Sequence, residues 1–146
     1  SGCVDRHEGL TRMTLKLSLK PGEKFVLNGA VLINGDRPTS FLVENQVTVL
    51  RDRDILQAAD ADTPAKRIYL AILNLYMGEG QSEGLYDEFV TQMSAYMQDI
   101  TDGETLRLCV AISRDMLARH YYKALIKCRQ LFDFEQSGRE LVENAA

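Results

Sequence analysis

The chain has 146 residues, of which 45% are hydrophobic and 26% are charged, and this suits one compact globular domain with a small subdomain attached. Its formal net charge of −4 argues against a protein that coats nucleic acid without sequence preference, because that mode of binding neutralises many phosphates. No apolar run reaches the roughly 18 residues that a membrane span needs, so the sequence predicts a cytoplasmic protein with no membrane partner.

The first twelve residues, 1–12, show no periodic pattern and precede Met13, at which the strand pattern begins. We interpret them as a leader or an added segment that is not part of the fold, with Met13 as the natural start. Cys3 and His7 therefore carry little weight as candidate functional residues.

Residues 13–57 predict a β unit. Leu15, Leu17 and Leu19 alternate with polar residues, which is the period of a half-buried strand. Asn28-Gly29 is a strong hairpin signal, because both residues tolerate positive φ. With further turns at Pro21-Gly22, Asn34–Pro38 and Glu44-Asn45, about five short strands are expected in an antiparallel meander or small barrel.

So small a sheet is not stable alone. We expect it to pack on helices or on a second copy of the chain, and hence we expect a homo-oligomer.

A linker at 58–62 precedes a helical region at 63–137, where the apolar period becomes 3.6. Thr63-Pro64 predicts a helix start, with threonine as the cap and proline at the first helical position. Gly78 and Gly80 are expected to end this helix. A second helix is predicted through Leu85, Phe89, Met93, Tyr96 and Ile100.

Thr101 and Glu104 have the spacing of a capping box, which predicts the start of a third helix. Neither glycine nor proline interrupts residues 104–137, so this stretch forms one long helix or two, and we favour a break near 120–122. Gly138 is the expected helix end, and 138–146 a flexible tail. The predicted fold class is α+β: a small N-terminal antiparallel β unit of about five strands, followed by three or four C-terminal helices.

The sequence contains no nucleotide-binding glycine loop, zinc-protease motif or nucleophile elbow. His120 is the one histidine outside the leader, and the cysteines, Cys3, Cys109 and Cys128, are odd in number without close paired spacing. We therefore predict no enzyme, no metal site, no cofactor and no disulfide framework, with Cys109 and Cys128 as reduced core residues.

Basic residues at the ends of the β unit form the first candidate RNA-binding surface. If the first and last strands pair, these side chains converge on one cationic edge, where they could hold phosphates of an exposed loop. The alternative is that they are ordinary polar residues of a half-buried sheet. The residues are Arg51, Lys16, Lys20, Arg53 and Lys24.

The second candidate surface consists of basic residues spaced four apart, which would lie on one helix face: Arg119, Lys123 and Lys127. Arg114 and Tyr122 are nearby in the sequence. Phosphates could lie along it, with the tyrosine available for stacking. A solvated face, or one that docks on the acidic helix at Glu83–Glu88, explains the same pattern.

Several of these segments together resemble the FlbT family of flagellum biosynthesis repressors. The resemblance covers residues 13 to about 135 and rests on a set of short motifs. They are Leu15-x-Leu with Lys20-Pro-Gly-Glu23, Asn28-Gly-Ala30, Asn34-Gly-Asp-Arg37, Val49-Leu-Arg-x-x-Asp-Ile55, Thr63-Pro-Ala65, Cys109-Val-Ala-Ile-Ser113 and Tyr121-Tyr-Lys-Ala-Leu125.

A weaker local resemblance links the β unit to the carbon storage regulator family, CsrA, of small dimeric messenger RNA binders. Leu17–Glu23 is similar to the opening strand of that family, and Val47–Ile55 is similar to its last strand. This likeness implies that Arg51 occupies the position of an RNA-contacting arginine. Ser18-Leu19 and Leu50 depart from that family's pattern.

The FlbT resemblance implies a cytoplasmic post-transcriptional repressor that binds the 5′ untranslated region of flagellin messenger RNA and promotes its degradation. The alternative is an interaction module, in which the helical region binds flagellin or another flagellar regulatory protein and any effect on RNA is indirect.

Overall fold

The computed structural model describes residues 14–78 and 82–145, which leaves the predicted leader at 1–12 and the expected helix-ending Gly80 outside the described residues. Within those ranges, five strands precede four helices, and this confirms the predicted α+β class. The chain forms two compact units, of which the first ends at Asp54 and the second starts at Ile55.

The described part of the first unit, residues 14–54, contains five strands and one short helical turn. Its strands are β1 (Leu15–Leu19), β2 (Lys24–Leu27), β3 (Ala30–Ile33), β4 (Thr39–Val43) and β5 (Val49–Leu50), and a 3₁₀ turn at Asp52–Asp54 follows them.

The second unit is helical. After a 3₁₀ turn at Ala58–Asp60, its helices are α1 (Pro64–Met77), α2 (Ser82–Gln98), α3 (Gly103–Leu117) and α4 (Tyr121–Ala145).

The described strands form two antiparallel sheets rather than one meander. β1 pairs with β4, and β2 lies between β3 and β5. The first strand does not pair with the last, so the condition on which the cationic edge was predicted is not met. β5 has only two residues, and they pair with Val26 and Leu27 of β2. Asn28 extends this contact, since its amide donates to the Thr48 carbonyl and its side chain accepts from the Thr48 amide.

Alternation along β1 builds the core of the first unit. Leu17 and Leu19 are buried, whereas Leu15, Lys16 and Ser18 are exposed. The Phe25 ring lies 6.3 Å from that of Phe41. The predicted hairpin at Asn28-Gly29 is confirmed, because it joins β2 to β3 with φ angles of 51° and 85°.

The start of α1 is confirmed at Thr63-Pro64. The Thr63 side chain accepts from the Lys66 amide, and proline occupies the first turn. At the other end, Gly78 is the C-cap. A Cβ there would lie 2.4 Å from the Asn74 carbonyl oxygen, so only glycine fits.

α1 lies between α2 and α4 and is buried on most sides, with Ile68, Ile72 and Leu73 fully enclosed. α4 completes its first turn, because Glu135 Oε2 accepts from the Ala65 amide at 2.9 Å. Nearby, the Cys128 thiol donates to the Ala65 carbonyl. Burial raises the pKa of the Cys128 thiol above its ordinary value and that of Cys109 to about 11, as expected of protonated core residues.

Two helix boundaries differ from the prediction. Asp102, not Thr101, caps α3, because its carboxylate accepts from both the amide and the hydroxyl of Thr105 at 2.8 Å. The predicted end at Gly138 is wrong, since α4 continues to Ala145. An exposed glycine inside a helix costs only about 1 kcal/mol relative to alanine, which a long helix tolerates.

The predicted break before the last helix is confirmed and lies at residues 118–120. Arg119 has φ of 63°, and the His120 amide donates to the Asp115 carbonyl at 2.8 Å. This is the bond pattern of a left-handed helix terminus. None of the helices described here is long and apolar enough to cross a membrane.

Candidate nucleic-acid interface

A tight turn after β1 creates the geometry of the candidate site. In Lys20-Pro21-Gly22-Glu23 the Glu23 amide donates to the Lys20 carbonyl at 3.1 Å, and Gly22 has φ of 71°. Proline at the second position and a positive-φ glycine at the third are what a type II turn requires. The turn brings the Glu23 carboxylate back to the Lys20 amide, which donates to Oε1 at 2.9 Å.

Arg51 crosses from the end of β5 to this turn and to β1. Its guanidinium donates to Glu23 Oε2 from Nη2 at 2.9 Å and from Nε at 3.2 Å. Nη2 also donates to the Ser18 carbonyl at 2.8 Å. Arg51 therefore links β5 to β1 although the two strands share no ladder, and 32% of its side chain remains exposed.

Hydrogen bonds and nearby cations fix the charge of Glu23. The Lys20 amide, followed by the Arg51 side chain, holds the pKa of the Glu23 carboxyl below its ordinary value of 4.5. The carboxylate is thus ionised at neutral pH and offsets part of the positive charge of Arg51.

The two lysines of the first strand segment lie near this cluster. Lys16 shares the exposed side of β1 with Ser18, opposite the buried Leu17 and Leu19, and Lys20 directly follows the strand and is also exposed. Each is two residues, or about 7 Å along an extended strand, from the carbonyl that Arg51 contacts. The charge of Lys20 also contributes to the lowered pKa of Glu23, which places its ammonium within electrostatic range.

The remaining predicted residues lie apart from these contacts. Arg53 is exposed in the 3₁₀ turn after β5. Lys24 is half-buried at the start of β2, where its register partner is Ile33 of β3. The structure thus joins Arg51 to the Lys20 turn through Glu23 and sets Lys16 on the same strand face. It records no contact between these groups and the side chains of Arg53 or Lys24.

Glu23 is the residue of this cluster that the sequence reasoning missed. The signal was present, because Lys-Pro-Gly-Glu specifies a turn that folds the glutamate back onto its own first residue. What the local pattern lacked was the position of β5, which brings Arg51 to that carboxylate.

The second predicted basic surface does not form the expected stripe. Arg119 lies in the left-handed break before α4 and so does not share the helix face of Lys123 and Lys127. Lys127 forms an ion pair with Asp115 of α3. Of the three side chains, Lys123 remains an exposed cation on α4 itself.

The described residues also contain no group of three or more histidine, cysteine or acidic side chains placed to hold a metal ion.

The family model and the similar proteins that were found agree on one family. The family model described as "Flagellar protein FlbT" matches residues 15–138. The "Probable flagellum biosynthesis repressor protein FlbT" of Caulobacter sp. (strain K31) is 47% identical, over 84% of this chain and 94% of the relative.

Two further relatives carry similar names. The "Flagellum biosynthesis repressor protein FlbT" of Caulobacter vibrioides (strain ATCC 19089 / CIP 103742 / CB 15) is 46% identical over 84% of this chain and 87% of its own length. The "Probable flagellum biosynthesis repressor protein FlbT" of Rhodopseudomonas palustris (strain TIE-1) is 34% identical over 85% of this chain and 96% of its own length. No solved structure matches the chain. The family match and these identities show that the chain belongs to the FlbT family of flagellar proteins.

Proposed function

We propose that this chain represses flagellum biosynthesis by binding the 5′ untranslated region of flagellin messenger RNA and promoting its degradation. Its relatives are named flagellum biosynthesis repressors. The observation that carries the RNA step is the cluster at the first turn of the β unit, where Arg51 and Lys20 surround Glu23 beside the exposed face of β1. Such a repressor acts in the cytoplasm, where the messenger RNA is.

Arg51 is the main phosphate contact in this proposal. Its guanidinium is held in place by Glu23 and by the Ser18 carbonyl, yet about a third of the side chain is open to solvent. A held guanidinium loses less conformational entropy when it binds a phosphate than a free one does. Lys16 and Lys20 add positive charge along the strand, and Arg53 and Lys24 serve as peripheral contacts.

The proposal is tested by a mobility shift with a flagellin leader RNA over a series of salt concentrations. Affinity should fall as salt rises, and the slope should report the number of phosphates neutralised. We expect Arg51→Ala to weaken binding about tenfold or more. It should also reduce the slope of log affinity against log salt concentration by about one, as the loss of one phosphate contact would. Arg67→Ala is the matched control, because it removes an exposed arginine of α1. Equal affinities of the two variants would remove Arg51 from the interface.

Arg51→Ala also removes a bond between β5 and β1, so its fold must be checked by circular dichroism. Lys16→Ala supplies a second arm, since the Lys16 side chain is exposed and none of the described residues forms an ion pair with it. A folded protein whose affinity for the leader does not change with salt would contradict the phosphate contact.

A second candidate function is binding of flagellin or another flagellar regulatory protein by the helical unit. The observation that favours it is an apolar pair on the outer face of α3, where Leu117 is 74% exposed and Val110 39%. They are seven residues apart and so lie on one helix face. A pull-down of flagellin by the full chain, lost in Leu117→Asp and kept in Arg51→Ala, would favour this function.

A further inference from the structure

The sheet formed by β1 and β4 has one face in solvent beside the Arg51 cluster. Register partners in an antiparallel ladder carry their side chains on the same face, and successive residues alternate between the two faces. Lys16 pairs with Leu42 and Ser18 pairs with Ser40, so these four side chains share one face. All four are exposed, and Leu42 is exposed to 65%.

The opposite face of this sheet belongs to the core of the first unit. Leu17 is buried there, and its register partner Phe41 has its ring 6.3 Å from that of Phe25. The alternation that turns these residues inward leaves Leu42 on the outside. An apolar side chain therefore stands in solvent where the described part of the core has no use for it.

The size and charge of this outer face suit one nucleotide. Its side chains outline an area of about 7 Å along the strands and about 5 Å across them, which is close to the plane of one base. Lys16 is the one charged residue of the two strands, and Arg51 contacts the Ser18 carbonyl at 2.8 Å. The acidic Glu44 follows β4 beyond Leu42, at the end away from that contact. A negatively charged ligand is thus favoured, with a phosphate at the Arg51 end.

A protein surface is a poorer occupant of this face than a base. Leu42 is the one apolar side chain of the four, so the face lacks the row of apolar anchors that a partner helix needs. An unpaired base has an apolar plane with polar edges, which can lie on an apolar side chain while its edge forms hydrogen bonds. Ser18 and Ser40 provide hydroxyl groups that can both donate to and accept from such an edge.

We propose that the outer face of the β1–β4 sheet is a subsite for one unpaired RNA base. The base lies on Leu42, its edge meets the hydroxyl groups of Ser18 and Ser40, and Lys16 and Arg51 hold the flanking phosphates. This subsite rests on the proposed RNA binding and adds the kind of RNA that is bound. That RNA is a single strand with accessible bases, because a base inside a duplex does not present its plane to a sheet.

The subsite is tested with two probes of equal charge, an unpaired segment of a flagellin leader RNA and the same segment with its bases removed. Fluorescence anisotropy measures the affinity of the full chain for each strand. The wild-type protein should bind the strand with bases about fivefold more tightly or better. Leu42→Ala should lose most of this preference, whereas its affinity for the strand without bases and its salt dependence should not change, because no phosphate contact is removed.

Leu42→Phe supplies a gain of function, since an aromatic ring offers a larger surface for stacking and should increase the preference for bases. Lys16→Ala should show the opposite pattern to Leu42→Ala, with equal weakening for both strands and a salt slope lower by about one. Val90→Ala and Val90→Phe are the matched controls, because Val90 is an exposed apolar residue of α2 in the helical unit. Both should bind each strand as the wild-type protein does.

Equal wild-type affinity for the two strands, or a preference for bases that Leu42→Ala retains in full, would overturn the subsite and leave the phosphate contact of Arg51 intact. Loss of flagellin capture by Leu42→Ala with an unchanged preference for bases would assign the face to a protein instead. A wild-type protein that shifts the whole leader but binds neither short strand would also overturn the subsite alone. One that does not bind the leader would overturn the proposed function as well.

Discussion

Among the described residues, Glu23 and the Ser18 carbonyl restrain the side chain of Arg51, which stays 32% exposed. Its bonds to Glu23 and to the Ser18 carbonyl replace a strand pairing that the short β5 does not make with β1. In the proposed function the same guanidinium binds phosphate, so the Glu23 carboxylate competes with RNA. In the proposed function, one side chain therefore both holds β5 to β1 and binds phosphate.

This competition gives a prediction for Glu23→Gln. The variant removes a negative charge that lies 2.9 Å from the guanidinium and keeps an amide oxygen that can accept its hydrogen bond. RNA affinity should increase several-fold, because the guanidinium is no longer neutralised in part by a carboxylate and the RNA phosphates no longer meet a like charge. A mobility shift at low salt measures the change.

Glu83→Gln makes the same substitution at an exposed position of α2 and should affect affinity far less. Weaker binding by folded Glu23→Gln would instead mean that the carboxylate mainly positions Arg51 for RNA.

At the scale of secondary structure elements, the boundaries of the helices depend on single capping residues. α1 begins where Thr63 accepts from the Lys66 amide, and α3 begins where Asp102 accepts from Thr105. In both helices the cap satisfies a first-turn amide that has no partner inside the helix. Loss of a cap should therefore weaken the helix without altering the packing around it.

Thr63→Ala tests this directly. It should lower the free energy of unfolding by about 1 kcal/mol, because the Lys66 amide loses its acceptor. Urea denaturation followed by circular dichroism measures the loss. Thr63→Ser retains the hydroxyl and should stay close to wild type, whereas an equal loss in both variants would assign the effect to the buried methyl group.

Sequence reasoning succeeded where a structural signal was local. Thr63-Pro64 and Asn28-Gly29 specify a cap and a hairpin within a few residues, and both were predicted correctly. It failed at the start of α3, where Thr101 and Asp102 are both suitable N-cap residues and Asp102 is the one that caps the helix. It also failed at Gly138, because one glycine is a weak signal for a helix end and α4 continues beyond it. Strand pairing was also beyond it, because the pairing of β5 with β2 joins residues that are far apart in the sequence.

The geometry around the candidate site follows from the sequence only in part, for the same reason. The alternation along β1 puts Lys16 on the exposed side of the strand, and this follows from the sequence alone. The partner of Arg51 is 28 residues away in Glu23, and no pattern within one element reveals such a contact. Only the folded β unit shows that the arginine is already bound to a carboxylate.

At the scale of the whole molecule, acid should destabilise the protein through carboxylates in both units. The pKa of Glu23 lies below its ordinary 4.5 because of the Lys20 amide and Arg51. That of Asp102 lies below its ordinary 3.8 because of the Thr105 amide and hydroxyl. In both cases the folded state favours the charged form, so the unfolded chain binds protons first as the pH falls.

The stabilisation from these two groups should be complete above their ordinary pKa values and should disappear as the pH falls through the lowered ones. Urea midpoints measured from neutral pH to about pH 3 should therefore decrease. The variant Glu23→Gln with Asp102→Asn should show a smaller decrease than wild type. An equally steep decrease would assign the acid sensitivity to other carboxylates.

The contact between Glu135 and the Ala65 amide has a consequence for synthesis of the protein. The two residues are 70 positions apart, and the glutamate belongs to the last helix to leave the ribosome. The described strands have all been synthesised once residue 54 is reached, whereas the Ala65 amide gains its acceptor only when α4 is made. The first turn of α1 is thus completed by a residue 70 positions further along the chain.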